Sequence, residues 1–154
     1  DAGVAAVPVH PLSVAARDEG DALALPLDST ATLLGEGFVP VLHGDVVGHA
    51  GAGATVVSGD ELVTRLAAGL DADRVGLCST VTGVYDDDGE VIPRITEFDA
   101  VADAVGGSES TDVTGGMAAK VRALLDLDAP AHVFGSESLS AFLAGEPAGT
   151  VIEG

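Results

Sequence analysis

Residues 54–79, ATVVSGDELVTRLAAGLDADRVGLCS, pass from a β-branched run to a helical-period run and back to a second apolar run. That alternation constrains the fold more than any other feature of the chain. ATVVS (54–58) predicts a short strand. GDELVTRLAAGL (59–70) sets Leu62, Val63, Leu66, Ala67 and Leu70 at helical spacing, and Ser58 with Glu61 three residues later has the form of a capping box. DRVGLCS (73–79) predicts the next strand, with Cys78 a buried free thiol in its apolar run.

The same alternation extends in both directions. FVPVLHGDVV (38–47) reads as a buried strand running into a loop, and VYDDDGEVIPRI (84–95) as a hairpin about Asp88-Gly89. GGSESTDVTGG (106–116) reads as a loop, MAAKVRALLDL (117–127) as a helix and AHVFG (131–135) as a strand. SESLSAFLAG (136–145) then reads as a helix and GTVIEG (149–154) as a closing strand. Short strands alternating with helices over short connections predict an α/β fold with a mainly parallel open sheet. No repeat or long linker divides the 154 residues, so a single domain is expected.

Ligands of such sheets lie beyond the carboxyl ends of the strands. HGD (43–45), SGD (58–60) and STVTGVYD (79–86) fall at such ends and are expected on one face of the sheet, with TDVTGG (111–116) leading into a helix. Positive charge then becomes the informative quantity. The chain carries 25 acidic residues against six basic ones, a net charge of −19, and Lys120 is its one lysine. That lysine lies about one turn beyond Gly115-Gly116, where Thr114 can cap a helix whose free N–H groups attract anions. Glycines there let an anion approach closely, and Lys120 can swing back as a point charge, so the stretch reads as a polyphosphate clamp. It is not a P-loop, since no GxxxxGK[ST] is present. At SGD, capping by Ser58 is the plain structural reading. The functional one lets the backbone at Gly59 approach a substrate anion while Asp60 aligns cationic groups.

Other candidates read as structural. His43 stands alone at a strand end, and it forms no metal-ligand spacing with His10, His49 or His132. Asp86, Asp87 and Asp88 serve a turn better than a metal. No GxSxG, HExxH, CxxC or GxGxxG occurs. The charge balance disfavours nucleic-acid and anionic-membrane partners. Hydrophobic residues make up 47% of the chain, too many for acidic disorder. Acids scattered through a folded chain fit a cytoplasmic protein of a salt-rich cell. The sequence has no transmembrane run, and its start at Asp1 rather than Met leads us to expect that the N-terminal part is missing.

Taken together, EGFVPVLHGDVV, VVSGDELVTRLAAGLDADRVGLCSTVTGVYDDDGEVIPRI, TDVTGGMAAKV and FLAGEPAGTVI resemble the amino acid kinase superfamily, and within it the isopentenyl phosphate branch. The likeness runs from about Gly3 to the end. It implies a three-layer αβα sandwich, of which residues 1–154 would hold the C-terminal, nucleotide-binding portion and part of the acceptor half. It implies transfer of the ATP γ-phosphoryl to isopentenyl phosphate, with Mg²⁺ carried in on the nucleotide. Lys120, Gly115 and Gly116 would contact ATP, Thr80 and Tyr85 would border it, Ser58 and Gly59 would meet the substrate phosphate, and Asp60 would organise the site's lysines. The resemblance also extends homodimer formation to this chain as an expectation. It has a departure, since Thr80 and Thr82 stand where the family usually has aspartates. A chain at −19 binding anionic ATP works against repulsion that salt screens. Kinase activity is therefore expected to rise with KCl. A steady fall from dilute buffer upward, in an ADP-release assay across a KCl series, would contradict this.

Overall fold

The computed structural model describes residues 3–106 and 116–154, and they fall into two compact units that meet in sequence at Leu70 and Asp71. In the first unit come β1 (Ala6–Pro8), β2 (Ala16–Arg17), β3 (Leu23–Ala24), α1 (Asp28–Gly35), β4 (Val39–Val41), β5 (Asp45–His49), β6 (Gly53–Val57) and α2 (Gly59–Gly69). β1 and β4 form a parallel pair, and the other strands make a sheet in the order β3-β2-β5-β6. Only the β2–β5 pairing in that sheet is parallel. Alternation decides its inner face: Val47 and Val57 are fully buried, while their neighbours Val46 and Val56 face outward. Ala15, Leu23, Val47, Val57 and Leu62 build the core, with Leu25 and Leu42 against it.

That core corrects one expectation. Residues 38–47 form two strands rather than one, and the first is not buried: Val39 and Val41 are 47% and 50% exposed. The physical reason is that β5, not β4, delivers side chains to the core. A second departure concerns residues 54–79. β6 and β7 flank one helix, yet they join different sheets, and β6 pairs antiparallel with β5. The β-branched runs mark strands correctly, but a period-two pattern carries no information about the partner strand.

In the second unit are β7 (Val75–Ser79), β8 (Arg94–Ile95), α3 (Ala102–Gly106), α4 (Gly116–Leu125), β9 (Ala131–Gly135), α5 (Leu139–Leu143) and β10 (Thr150–Ile152). The sheet order is β7-β9-β10-β8, parallel at β7–β9 and β10–β8 and antiparallel at β9–β10. All five residues of the inner strand β9 are buried, as a strand covered on both faces requires. Four of the seven ladders in the described residues are parallel, so the α/β reading with a parallel-rich sheet holds.

Cys78 is exposed, not buried as its apolar context suggested. Val75 and Leu77 occupy the inward positions of β7, so Cys78 takes the outward phase. Residues 136–145 divide into a 3-10 turn, Ser136–Ser138, and the short α5. The hairpin at 84–95 forms around one bridge, Tyr85 to Val91. Asp86 stabilises its turn by accepting from the N–H groups of Asp88 (3.0 Å) and Glu90 (2.9 Å).

One buried hydroxyl ties this hairpin to the sheet. Thr150 on β10 has no exposed surface, and its Oγ1 accepts from the Val84 N–H at 2.8 Å. Gly149 before it has φ +57°, and a Cβ there would collide with the Val133 carbonyl. Thr150→Val keeps the shape and orphans the Val84 N–H, which should cost about 1–3 kcal/mol. Urea unfolding of the two proteins checks this, and identical midpoints would show that the bond contributes nothing.

Candidate active site

A cavity of about 280 Å³ lies within the second unit. Ser79, at the carboxyl end of β7, forms one wall with Thr80, Val81, Gly83, Val84 and Tyr85 of the following segment. α3 supplies Ala104 and Val105, and the start of α4 supplies Gly116, Met117 and Lys120. The four-residue spacing from Gly116 to Lys120 sets both on one face of α4. Gly116 has φ +65°, a left-handed conformation at the helix start that suits glycine. Four expected cofactor-binding residues, Thr80, Tyr85, Gly116 and Lys120, are thereby brought together. Gly115 and Thr114 lie outside the described residues.

The charge of this cavity differs from that of the chain. None of its described lining residues is acidic, although the chain holds 25 acids in 154 residues. Lys120 is the ionic side chain among the described lining residues. Arginines are committed elsewhere: Arg17 to Glu61, Arg94 to Glu153, Arg74 to the Phe142 ring and carbonyl, and Arg122 to the Phe98 ring at 3.7 Å. The described lining thus combines one cation with an apolar wall of Val84, Val105 and Met117. Tyr85 is held at the rim by Thr82, whose Oγ1 lies 2.9 Å from the tyrosine hydroxyl. Hydroxyls of Ser79 and Thr80 are the neutral polar groups beside it. Among the described residues no group of three His, Cys, Asp or Glu side chains could hold a metal ion.

The remaining expected residues belong to the first unit. Ser58 caps α2, its Oγ accepting from the Glu61 N–H at 3.1 Å. Gly59 opens the helix with nothing within 4 Å of where a Cβ would stand, so an anion has room there. Asp60 follows in the first turn. HGD and SGD are neighbours, because a Cβ on Gly44 would lie 3.4 Å from the Gly59 nitrogen and 3.2 Å from the Val57 carbonyl, but STVTGVYD follows β7 of a different sheet, so the three segments do not share one sheet as expected.

Two juxtapositions escaped sequence reasoning. His10 and His43 are 33 residues apart in the chain, yet their ring nitrogens are 3.3 Å apart. No spacing rule links them. Arg17 reaches Glu61 from 44 residues away. Its scarcity as a cation was the one available signal. Beside the histidines, Asp45 accepts from the backbone N–H groups of Leu12 (3.1 Å) and Val46 (2.8 Å). Those bonds, the Leu12 one first, hold its carboxyl below the ordinary value, with the nearby His43 and His10 acting in the same direction.

A model of the amino acid kinase family matches residues 1–130. The chain belongs to the amino acid kinase family. Isopentenyl phosphate kinase of Haloferax volcanii is 72% identical over 152 residues, spanning 99% of this chain and 61% of that relative. Isopentenyl phosphate kinase of Methanocaldococcus jannaschii is 33% identical over 139 residues, spanning 87% of this chain and 53% of the relative. A solved structure of isopentenyl phosphate kinase superposes with a TM-score of 0.75 at 25% identity, covering 97% of this chain and 60% of that one. The chain therefore spans between half and two thirds of the length of these three relatives. Its fold is that of the family.

Asp45 gives a signed pH dependence. A carboxyl with a depressed folded pKa contributes stability above its unfolded value of about 3.9, and that contribution is lost as pH falls through the folded value. Asp45→Asn should thus be less stable than the parent near pH 6, with the gap closing towards pH 3. Denaturant midpoints across that range check it, and a gap independent of pH would assign the effect to hydrogen-bond geometry instead of charge.

Proposed function

We propose that this chain is part of an ATP-dependent kinase that phosphorylates isopentenyl phosphate to isopentenyl diphosphate, a step of isoprenoid biosynthesis in the mevalonate-linked route. The observation that carries the reading is a cavity whose described lining places Lys120 beside Gly116 and the Ser79–Tyr85 segment, with no acid among those residues, in a chain of net charge −19. A catalytic nucleotide site explains why the described lining carries no acid and why a lysine is kept. The identity to the Haloferax isopentenyl phosphate kinase supports the choice of acceptor. On this reading residues 1–154 form one amino acid kinase-like portion, carrying the nucleotide side and part of the acceptor side.

In the reaction an oxygen of the acceptor phosphate forms a bond to the γ-phosphorus as the bond to the ADP oxygen breaks. Such transfers depend on positioning and on neutralising charge at the transferring group. Lys120 supplies that charge at the β- and γ-phosphates, with the α4 N-terminus at Gly116 beside it. Val84, Val105 and Met117 face the nucleotide's apolar surface, and Tyr85, fixed by Thr82, closes the rim. Thr80 offers a hydroxyl where the family usually has a carboxylate. Mg²⁺, which neutralises polyphosphate charge when bound, would be held by the nucleotide phosphates with Ser79 and Thr80 hydroxyls as the cavity's neutral polar groups, since the described lining offers no carboxylate. At the acceptor side the free N–H groups at Ser58–Gly59 receive the acceptor phosphate, and Asp60 orients cationic groups of the site.

The test is ADP release by the complete gene product in molar KCl with Mg-ATP, offering isopentenyl phosphate beside other small phosphates and amino acids. Turnover is expected with isopentenyl phosphate. Lys120→Met should lower kcat by about 10²–10³-fold. Selective turnover with a different acceptor would reassign the substrate, and ATP binding without turnover on any acceptor would reduce the protein to a nucleotide-binding domain.

A further inference from the structure

Arg17 is one of two cations in the first seventy residues, and its side chain is only 9% exposed. From β2 its Nη2 reaches Glu61 Oε2 at 2.5 Å, while its Nη1 donates to the Asp21 carbonyl at 2.9 Å and its Nε lies 3.5 Å from the Asp21 carboxylate. Glu61 is the third residue of α2, and its own N–H is bound by the Ser58 cap. In a reciprocal capping box a glutamate at this position turns back to the N–H of the cap residue. An exposed arginine, Arg65, also follows four residues later at ordinary helix-pairing distance in sequence. Instead the Glu61 carboxylate is held by a nearly buried arginine from another strand.

Stability does not explain that choice. Burying a guanidinium costs solvation, and a buried ion pair is often no more stabilising than apolar residues of the same volume. Charge does explain it. The first turn of α2 contains two consecutive acids, Asp60 and Glu61, beside the Ser58–Gly59 position. A phosphate monoester arriving there carries close to two negative charges of its own. Left uncompensated, the carboxylates would offset the attraction of the helix N-terminus, which is equivalent to only about half an elementary charge.

We propose that Arg17 is a positioning residue for the acceptor phosphate, drawing Glu61 away from the N-terminal turn of α2 and cancelling its charge so that Ser58–Gly59 can receive a dianion. This rests on the acceptor-site reading given above. Arg17 touches no substrate; it acts through Glu61.

A sign distinguishes this role from simple bracing of the helix. The complete gene product is assayed with isopentenyl phosphate and Mg-ATP at fixed KCl. Arg17→Gln exposes one uncompensated charge and should raise the acceptor KM about tenfold, with kcat and the ATP KM little changed. Glu61→Gln removes a negative charge from the first turn of α2 while Arg17 keeps the Asp21 carboxylate beside it, and it should lower the acceptor KM below that of the parent. The double variant Arg17→Gln/Glu61→Gln should return close to the parent value. If Arg17 only braces α2, both single variants and the double variant impair the enzyme alike, and that outcome overturns the inference. Should Arg17→Gln fail to fold, Glu61→Gln alone decides: a raised acceptor KM sinks the proposal. Absence of wild-type turnover with isopentenyl phosphate would overturn the acceptor-site reading and this inference with it, whereas normal turnover with an unchanged acceptor KM in Arg17→Gln overturns this inference alone.

Discussion

Scarcity of positive charge governs the organisation of this chain. Six cations serve a molecule with 25 carboxylates, and five of them have distinct placements in the structure, Arg65 standing exposed on α2. Two arginines stack on phenylalanine rings, one joins β8 to the residue after β10 through Glu153, and one enters the first unit's interior to meet Glu61. Lysine, with its flexible stem and compact charge, is kept for the cavity. An acidic surface remains tolerable in salt because exposed charges are screened, whereas a lysine in a confined cavity keeps most of its field. The same composition thus leaves an acidic exterior and a lysine among the cavity's described lining residues.

The cavity was legible in its parts more than in its whole. Lys120 and Gly116 could be read from the sequence because lysine is unique and paired glycines before a helix have a physical meaning. Thr80 and Tyr85 followed from the family resemblance. Val84, Val105, Ala104 and Met117 could not be foreseen as lining residues, because apolar side chains at helical or strand spacing look the same whether they face a core or a ligand. Tertiary placement made that difference: α3 and α4 both present side chains to the segment after β7.

Strand positions were readable, while strand partners were not. The β-branched runs at 54–58, 73–79 and 131–135 all mark strands. Their pairing was decided by non-local hydrogen bonding, and β6 folds back on β5 although the intervening helix suggested a crossover to β7. Burial failed in a similar way at Val39, Val41 and Cys78. An apolar run shows that a strand can be buried; its phase and its neighbours determine which residues are. The Arg17–Glu61 and His10–His43 contacts, spanning 44 and 33 residues, belong to the same class of information.

The outward phase of Cys78 makes the chain its own labelling reagent target. The exposed Cys78 thiol, the one cysteine of these 154 residues, can be alkylated at a defined place next to Ser79. Cys78 therefore marks the outward phase of β7 one residue before the segment that lines the cavity.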